Sequence, residues 1–516
     1  MPSMTRRTFV RGIAGLAGAV ALGGLAACGS TGPGPRTVGP RSAAVLEAER
    51  ARRVAGRSTV TARLTPRPVT VDLGGRTVRT WAYGDELPGP LLRATAGDLL
   101  KVTVDNQLPA ETSVHWHGLA LRNDMDGVPH LTQDPIAAAG SFAYEFVAPH
   151  PGTYFYHPHT GVQLDRGLYG ALVIDDPAEP GDYDDEWVVV LDDWIDGTGR
   201  TPDDVYTELT KNNGSGGEDS GDSMEGMDHG PMDMGDDMDM EDMPGMEESM
   251  SSPLLGGAGD VDYPHYLVNG RMPDAPQQLT ARPGQRVRVR FVNAGTDTAF
   301  RVAVGGHRMT VTHSDGFPVT PVTTDALLLG MGERFDVTLT LGDGVFPLVA
   351  SAEGKKGHGR ALVRTGGGRA PSADAKIPEL SRRVLLGTEL TAADSVLLPA
   401  GKVDRRHDVT LGGSMSPYRW TLNGATFPDA PPLPVRSGER VRLRFVNDTM
   451  MFHPMHLHGH TFGLVDGGAR KDTVIVRPKE TLEVDFDTDN PGQWALHCHN
   501  ILHGEAGMMT SLSYRA

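Results

Sequence analysis

The residues with the clearest chemistry stand near the end of the chain, in the segment His497-Cys498-His499. A thiolate lies there between two imidazoles, with His503 five residues after the cysteine and Met508 ten residues after it. Two histidines, one cysteine and a weak axial methionine are the ligands of blue-copper electron-transfer sites, so a second histidine must come from elsewhere. Because side chains alternate along a strand, His497 and His499 point away from Cys498. The segment is therefore predicted to contact two metal centres.

Three further clusters supply histidines at similar spacing. They are His115-Trp116-His117-Gly118, His157-Pro158-His159 and His453-Pro454-Met455-His456-Leu457-His458-Gly459. Together with the C-terminal cluster they hold ten of the 19 histidines. A single His-x-His pair is typical of a surface strand or of an adventitious zinc site. Four clusters, one of which encloses a cysteine, indicate a built metal site instead.

These four clusters resemble the copper-binding motifs of the multicopper oxidases, the family of laccases, ascorbate oxidase and bacterial copper-resistance oxidases. The resemblance implies four copper ions per chain. It also implies a reaction in which four one-electron oxidations of a substrate are coupled to the reduction of O2 to two waters. The type 1 copper would be held by His453, Cys498, His503 and the axial Met508. The type 2 copper would be held by His115 and His456, and the type 3 pair by His117, His157, His159, His458, His497 and His499.

Two acidic residues are candidates for supplying protons to oxygen. Asp126 lies eleven residues after His115, where bacterial members of the family carry an acid near the type 2 copper. We interpret it as a proton donor or orienting group, with a turn at Asp126-Gly127 as the alternative. Copper-resistance relatives place a second acid directly after the type 1 histidine. Here that position is Gly504, and the candidate acid is Glu505, one residue later.

The body of the chain repeats one pattern. Residues 94–106, 281–293 and 435–447 each place an asparagine nine residues after a glycine, with alternating apolar residues between them. Such alternation predicts half-buried strands, and short strands with Gly and Pro turns predict stacked all-β domains. The family resemblance implies that these are three consecutive cupredoxin-like Greek-key β-barrels. Their predicted boundaries are 58–178, 183–368 and 380–516.

The middle copy differs from the other two at the metal motifs. Nine residues past the asparagine, the first copy has His115 and the third has His456, whereas the second has Val302. Further along, the middle copy has Val349-Ala350-Ser351 where the other two have a second His-x-His motif. We therefore predict that domains one and three face each other across a shared metal cluster. Domain two is predicted to be a spacer without metal.

The start of the chain resembles an export signal. Arg6-Arg7 is typical of the twin-arginine route, and the apolar run 13–27 is shorter than the roughly 20 residues of a permanent membrane span. The run ends at Cys28 in a sequence that resembles a lipoprotein cleavage box, with simple cleavage after small residues as the alternative. Residues 1–57 are therefore predicted to be signal and tether. A lipid anchor at Cys28 would place the protein on the outer face of the cell membrane or in the periplasm. Since Cys498 is the other cysteine, no disulfide is expected.

The net charge of −18 is concentrated in one region. Residues 182–250 carry 23 acidic and two basic side chains, a net charge of −21, so the remainder of the chain is slightly positive. So acidic a chain argues against nucleic acid as a partner. Residues 223–250 contain nine methionines among acidic residues, with no Lys or Arg and no apolar periodicity. This composition predicts a disordered insert over 212–252, early in domain two.

The sequence leaves the electron donor open, because phenol-type laccases and cuprous oxidases share all the ligands above. The Met-rich insert, the export signal and the run Asp448-Thr449-Met450-Met451 before His453 favour Cu(I), since thioethers are soft ligands and carboxylates attract cations. In copper-efflux oxidases, however, the acid stands one residue nearer the histidine and the Met-rich insert lies in domain three.

Because a strand end alternates, only one of Met450 and Met451 can face the copper, and core packing is the alternative role of these methionines. A copper-sequestering lipoprotein is a further alternative, but sequestration does not need the trinuclear site that the type 2 copper and the type 3 pair would form together. We predict an oxidase of Cu(I) in copper detoxification, with phenols or other metals as the alternative donors. The sequence does not determine the oligomeric state, and a monomer is assumed.

Overall fold

The computed structural model describes residues 36–179, 181–211 and 251–516. Within these ranges the chain consists mainly of β-strands, with three short α-helices. The strands form three groups in chain order, and buried apolar side chains fill the space between their sheets. No helix in the described ranges is long and apolar enough to cross a membrane.

The first group of strands forms a domain of three sheets. Its strands are β1 Thr59–Leu64, β2 Pro66–Asp72, β3 Thr77–Tyr83, β4 Leu92–Thr95, β5 Leu99–Asp105, β6 His115–His117, β7 Ser141–Val147, β8 Gly152–His157 and β9 Gly170–Asp175. The sheet orders are β1-β5-β7, β2-β3 and β4-β9-β8-β6. Antiparallel pairing of β6 with β8 sets His115 opposite His157. The two histidine motifs of this domain therefore lie side by side on neighbouring strands of one sheet.

The second group of strands forms two six-stranded sheets. Its strands are β10 Asp185–Trp194, β11 His265–Val268, β12 Gln277–Thr280, β13 Arg286–Asn293, β14 Phe300–Val304, β15 Met309–Ser314, β16 Phe317–Thr324, β17 Ala326–Leu329, β18 Arg334–Thr340, β19 Val345–Ala352, β20 His358–Arg364 and β21 Val384–Leu385. The orders are β11-β10-β13-β18-β15-β16 and β12-β20-β19-β14-β17-β21. The pair β14 and β19 sets Val302 opposite Ala350, within the segment Val349-Ala350-Ser351.

The third group repeats this plan with sheets of six and five strands. Its strands are β22 Arg405–Met415, β23 Tyr418–Leu422, β24 Leu433–Val435, β25 Arg440–Asn447, β26 His453–Leu457, β27 Phe462–Leu464, β28 Arg470–Lys471, β29 Thr473–Val476, β30 Thr481–Asp487, β31 Gln493–Cys498 and β32 Met509–Tyr514. The orders are β23-β22-β25-β30-β27-β28 and β24-β32-β31-β26-β29. A short helix, α3 Ile501–Glu505, follows β31. The all-β prediction agrees with these sheets.

Part of the predicted tether is folded onto the body of the protein. The helix α1 Ala43–Arg52 is rich in strong helix formers. Its Glu49 is buried and accepts a hydrogen bond from the backbone of Val147 at 2.9 Å. Before the helix, the N–H of Val38 donates to the carbonyl of Tyr514 at 2.9 Å. This N-terminal arm therefore contacts both the first and the third domain.

The predicted signal, Cys28 and the predicted insert up to Met250 lie outside the described residues. The described residues on either side of the insert contact the third domain. The helix α2 Pro202–Thr210, which begins with a capping box from Thr201 and Asp204, packs against β23. After the insert, Leu255 lies in a buried cluster with Phe452 of the third domain.

Candidate metal centres

One strand, β31, carries side chains of two separate centres. Its pairing with β26 sets Cys498 opposite Met455 and His497 opposite His456. Alternation along the strand sends the thiol of Cys498 and the imidazole of His497 to opposite faces of the sheet. This register supports the prediction that the segment contacts two metal centres.

The helix α3 brings His503 close to Cys498. Asn500 is its N-cap, and Oδ1 of this residue accepts hydrogen bonds from the backbone N–H groups of Leu502 at 3.1 Å and His503 at 3.3 Å. Asparagine is among the strongest N-cap residues because it satisfies such amide groups. The N–H of Cys498 also donates to the carbonyl of Met508 at 3.0 Å. The cap and this bond hold His503 and Met508 close to the cysteine.

His453, Cys498 and His503 form a closed triangle of ligand atoms. The two Nδ1 atoms are 3.0 Å apart, and Sγ of Cys498 lies 3.6 Å from Nδ1 of His453 and 3.7 Å from Nδ1 of His503. An ion about 2.0 Å from each nitrogen and about 2.3 Å from sulfur separates such atoms by roughly 3.3–3.7 Å. All three side chains and Met508 are buried. The triangle fits a mononuclear ion, and its donor types fit copper.

The outer edges of both imidazoles in this triangle are closed. Nε2 of His453 lies 2.8 Å from Oγ1 of Thr449, and Nε2 of His503 lies 2.9 Å from Oδ2 of Asp260. Both imidazoles have an exposed fraction of 0%. Each ring therefore has one nitrogen toward the triangle and the other in a hydrogen bond, which fixes its orientation. Thr449 and Asp260 were not predicted from the sequence, because no spacing to a ligand motif marks Asp260.

Aromatic side chains of β23 complete the wall around His503. The ring of Trp420 lies with its centroid 4.1 Å from that of His503. The hydroxyl of Tyr418 donates to Oδ2 of Asp260 at 2.6 Å. Burial lowers the pKa of the His503 imidazole, but the carboxylate of Asp260 outweighs this effect and raises the pKa to about 10. Asp260 is therefore a buried anion fixed by two donors.

Eight histidines gather on the opposite face of β31, at the junction of the first and third domains. They are His115, His117, His157, His159, His456, His458, His497 and His499. Nε2 of His497 lies 3.0 Å from Nε2 of His458 and 3.4 Å from Nε2 of His159. Nε2 of His157 lies 3.4 Å from Nε2 of His499. These are ligand separations for several ions held close together, so the structure brings together all eight residues that the sequence assigns to the type 2 and type 3 centres.

Several of these imidazoles keep one buried nitrogen without a hydrogen-bond partner. The atoms are Nε2 of His115, Nε2 of His456, Nδ1 of His117 and Nδ1 of His499. Burial, followed by the neighbouring imidazole of His456, lowers the pKa of His497 to about 3. Neutral rings carry a free lone pair, and a buried lone pair without a donor is unfavourable unless a metal binds it. The cluster therefore fits a multinuclear metal site.

Asp126 is buried against two of the cluster histidines. Its Oδ2 lies 3.0 Å from Nδ1 of His458, and its backbone carbonyl lies 2.8 Å from Nδ1 of His115. The next residue, Gly127, has φ +83°, and a Cβ there would lie 1.9 Å from the carbonyl oxygen of Val114. Asp126 thus occupies a turn, as the alternative interpretation holds, but its carboxylate also contacts the histidines.

A second buried acid lies on the other side of the cluster and was not predicted from the sequence. Oδ1 of Asp472 lies 3.2 Å from Nε2 of His117 and 3.4 Å from Nδ1 of His456. Burial alone would raise the pKa of Asp472, but the guanidinium of Arg334 outweighs it and holds that pKa well below its usual range. The charged pair Lys471-Asp472 before an apolar strand is a signal that could have identified it, because charges are buried only when paired.

A cavity of about 270 Å³ leads toward the eight histidines from outside. Its lining includes His157, His159 and His497 together with Glu505 and Glu111. Glu505 keeps an exposed surface, but protein crowds its carboxyl group and this desolvation raises its pKa to about 7. An acid of that pKa exchanges protons readily near neutral pH. The structure thus brings Glu505 to a path between solvent and the cluster.

The three predicted substrate residues lie close to His453 in sequence but differ in burial. Met450 is 70% exposed and Asp448 is also exposed. Met451 is half-buried, packs against the core, and its Sδ would lie 3.3 Å from a Cβ added at Gly257. The two methionines therefore differ in exposure, although they lie in a bend between β25 and β26 and not at a strand end. Gly257 belongs to the segment between the insert and Asp260, so this segment lies beside the mononuclear triangle.

Comparison with known proteins agrees with this arrangement. Family models described as multicopper oxidase match residues 66–179, 242–368 and 403–516. The chain is 50% identical to multicopper oxidase MmcO of Mycobacterium tuberculosis, over 99% of this chain and 97% of the relative. It is 30% identical to copper resistance protein A of Pseudomonas syringae pv. tomato, over 98% of each chain.

Among solved structures, the multicopper oxidase Fet3p, described as functioning in iron import, superposes with a TM-score of 0.73 at 20% identity. The alignment covers 89% of this chain and 90% of that chain. At this identity the similarity concerns the fold alone. It confirms the predicted fold class of three cupredoxin-like domains.

Proposed function

The chain belongs to the multicopper oxidase family, and from that premise we propose that it is an oxidase of Cu(I) that serves copper detoxification. As a member of this family it binds copper and is an oxygen-dependent oxidoreductase. Bound copper supplies one-electron redox chemistry at a mononuclear centre and oxygen reduction at a cluster. The residues of the chain hold the metal, exclude bulky donors and move protons.

The proposed ligands follow from the two groups of facing side chains. His453, Cys498, His503 and Met508 hold the type 1 ion, and the triangle of Nδ1 and Sγ atoms supports this assignment. His115 and His456 hold the type 2 ion through Nε2 atoms that have no other partner. The type 3 pair is held by His117, His157, His159, His458, His497 and His499.

The observation that carries the choice of Cu(I) is the closure of the type 1 imidazole edges. A phenol hydroxyl can form a hydrogen bond with an imidazole of the site only if that ring has a nitrogen without another partner. Here Thr449 and Asp260 already contact both outer nitrogens, and neither ring has an exposed surface. A small cation needs no such edge, since it requires only soft and anionic groups beside the site.

Such groups occur in the turn before His453 and in the sequence of the insert. Met450 offers an exposed thioether and Asp448 an exposed carboxylate, and Met451 lies deeper in the same turn. The sequence between Lys211 and Ser251 adds nine methionines and thirteen acidic residues. Its flanking elements, α2 and the segment that includes Gly257, contact the third domain near this site. The relative named copper resistance protein A supports the same physiological role.

Protons for oxygen reduction come from two acids in this proposal. Asp126 orients His458 and donates protons at the buried side of the cluster. Glu505 relays protons from solvent along the cavity that it lines with His159. Its pKa of about 7 supports this role, because a donor is most effective when its pKa lies near the working pH.

Localisation is proposed from the sequence alone. The twin-arginine residues and the cleavage box predict export and a lipid anchor at Cys28, on the outer face of the membrane or in the periplasm. Mass spectrometry of the mature protein tests this: a lipid-modified N-terminus at Cys28 is expected. An unmodified N-terminus would leave export without an anchor.

Oxygen uptake with Cu(I) and with a bulky phenol, measured on one preparation, tests the choice of donor. Replacing Met450 and Met451 by Leu removes two thioethers at nearly constant volume. Loss of one contact worth about 1.4 kcal/mol lowers kcat/KM for Cu(I) tenfold, while phenol oxidation is unchanged. Met272→Leu is the matched control, because this half-buried methionine packs in a different cluster. Equal rates with Cu(I) in all variants, or a wild-type preference for phenol, would support a laccase instead.

A further inference from the structure

The second domain, although it has no histidine in the metal clusters of the described residues, forms one wall of the trinuclear site. The loop between β17 and β18 brings Gly332 against the cluster. A Cβ at Gly332 would lie 3.0 Å from ring atoms of both His117 and His499, and its φ of +84° also favours glycine. This loop therefore has the close approach that only a glycine permits.

Two residues beyond Gly332, Arg334 connects all three domains. Its Nη1 and Nη2 donate to Oδ1 and Oδ2 of Asp472 at 2.7 and 2.6 Å. Its Nε donates to the carbonyl of Thr153 in the first domain at 3.1 Å. Both Arg334 and Asp472 have side chains with 0% exposure. Such a two-point contact fixes the plane of a carboxylate, which a single ammonium group cannot do.

The carboxylate of Asp472 contacts opposite nitrogens of two stacked histidines. Oδ1 lies 3.2 Å from Nε2 of His117 and 3.4 Å from Nδ1 of His456, whose Nδ1 also lies 3.0 Å from the backbone carbonyl of Asp472. The two rings stack at 3.8 Å between centroids. The nitrogens without hydrogen-bond partners are then Nδ1 of His117 and Nε2 of His456. The hydroxyl of Thr473 lies against the same two nitrogens, 3.1 Å from Nε2 of His117 and 3.0 Å from Nδ1 of His456, and it donates to Oδ1 of Asp472 at 2.8 Å. Asp472 and the hydroxyl that it holds thus leave a different nitrogen free on each ring.

The glycine of the first histidine motif leaves room for this ion pair. Gly118 follows His117 directly and has φ +87°. A Cβ there would lie 2.4 Å from Nη2 of Arg334 and 2.6 Å from Oδ2 of Asp472. A side chain at this position would separate the pair. The glycine is therefore required by the residue from the second domain and not only by the turn.

We propose that Arg334, from the domain without metal ligands, is a positioning residue of the trinuclear site. Through Asp472, and through the Thr473 hydroxyl that donates to this carboxylate, it sets which nitrogen of His117 and of His456 faces the copper ions. The proposal rests on the ligand assignment given under Proposed function. Hydrogen-bonded groups behind metal-binding histidines fix the tautomer and orientation of the ring, and their loss weakens metal binding by roughly 10–100-fold.

Two variants of the copper-loaded protein test this role. Arg334→Lys keeps the charge but loses the two-point contact, and Asp472→Asn keeps the shape but loses the anion. In both we expect type 2 copper to be removed by a chelator at roughly 10–100-fold lower concentration. The electron paramagnetic resonance signal of the remaining type 2 copper should also change. The blue absorbance of type 1 copper, measured on the same sample, should not.

Arg288→Lys is the matched control. Arg288 is equally buried in the second domain and contacts Asp336 with Nε at 3.1 Å and Nη2 at 2.5 Å, but Asp336 contacts no histidine of the cluster. The proposal is overturned if Arg334→Lys retains type 2 copper with an unchanged spectrum, or if both lysine variants lose copper equally from all sites. His456→Ala tests the ligand assignment separately from the role of Arg334. If this variant keeps type 2 copper, the ligand assignment is wrong.

Discussion

The carboxylate of Asp260 gives a quantitative prediction for the type 1 site. It is buried, and it accepts hydrogen bonds from Nε2 of His503 at 2.9 Å and from the hydroxyl of Tyr418 at 2.6 Å. Burial alone would raise the pKa of Asp260, but the charge of His503 holds it below its usual value, so the group is ionised at neutral pH. A fixed anion at this position stabilises the oxidised ion more than the reduced one. Asp260→Asn should therefore raise the type 1 reduction potential.

The magnitude follows from the geometry. The 2.9 Å hydrogen bond, the width of an imidazole and one metal–nitrogen bond place the carboxylate about 7 Å from the ion. At an effective dielectric constant of about 20, two unit charges at that distance interact by roughly 2.4 kcal/mol. Since about 1.4 kcal/mol corresponds to about 59 mV for one electron, the expected rise is roughly 100 mV.

A redox titration that follows the blue absorbance measures this shift. Asp448→Asn is the control, because it removes an exposed carboxylate five residues before His453 and solvent screens its charge. Asparagine at position 260 still accepts the hydrogen bond from His503, so the ring orientation is expected to persist. A potential that stays unchanged or falls in Asp260→Asn, or an equal rise in Asp448→Asn, would refute the electrostatic reasoning.

Three further predictions concern protons and copper supply. Asp126→Asn should slow reoxidation of the reduced enzyme by roughly 10²-fold, with type 1 reduction unchanged, because it removes a proton donor and keeps the shape; stopped-flow oxidation measures both steps. Glu505 carries a proton below its pKa of about 7, so reoxidation should slow as the pH rises through that value. Glu505→Gln should abolish this dependence, and a pH profile that keeps its shape would exclude Glu505 as the relay. Deletion of residues 218–250 removes nine thioethers and thirteen carboxylates, and should slow Cu(I) oxidation at limiting copper but leave phenol oxidation and thermal stability intact. A parallel loss of both activities would indicate a folding defect.

Much of the metal site could be predicted because its ligands come in local motifs. A His-x-His pair lies on one face of a strand, and a cysteine between two histidines must face the other side, so spacing alone separates two centres. The glycine-to-asparagine repeat likewise marked the three domains and identified Val302 as the place where the middle copy lacks a ligand. Register in the sheets agrees with this separation, with His456 opposite His497.

The surroundings of the ligands could not be predicted in the same way. Asp260 reaches His503 across 243 residues, and Arg334 reaches Asp472 across 138. No periodicity connects such positions, because they meet only when the domains pack together. The prediction of domain two as a spacer was therefore incomplete, since its Arg334, Gly332 and Asp260 contact residues of both centres.

The helix of the N-terminal arm also depends on a contact that is distant in the sequence. The segment Ala43–Arg52 has helix-forming composition, but its burial depends on Glu49 meeting the backbone of Val147 in a distant strand. The composition of the segment favours a helix, but only its packing against the first domain decides whether this helix is part of the folded body.

The sequence by itself determined which side chains are the candidate metal ligands, since ligand type and strand alternation are properties of a few neighbouring residues. The tertiary structure decided which nitrogen of each histidine is free and which anions and cations lie behind it. It also decided whether the type 1 edge is open to a substrate. These properties depend on groups that are distant in the chain and are brought within 3–4 Å by domain packing. In a buried site such contacts set the charge around each candidate ligand and the orientation of its ring. These two properties determine how the ligand can bind copper.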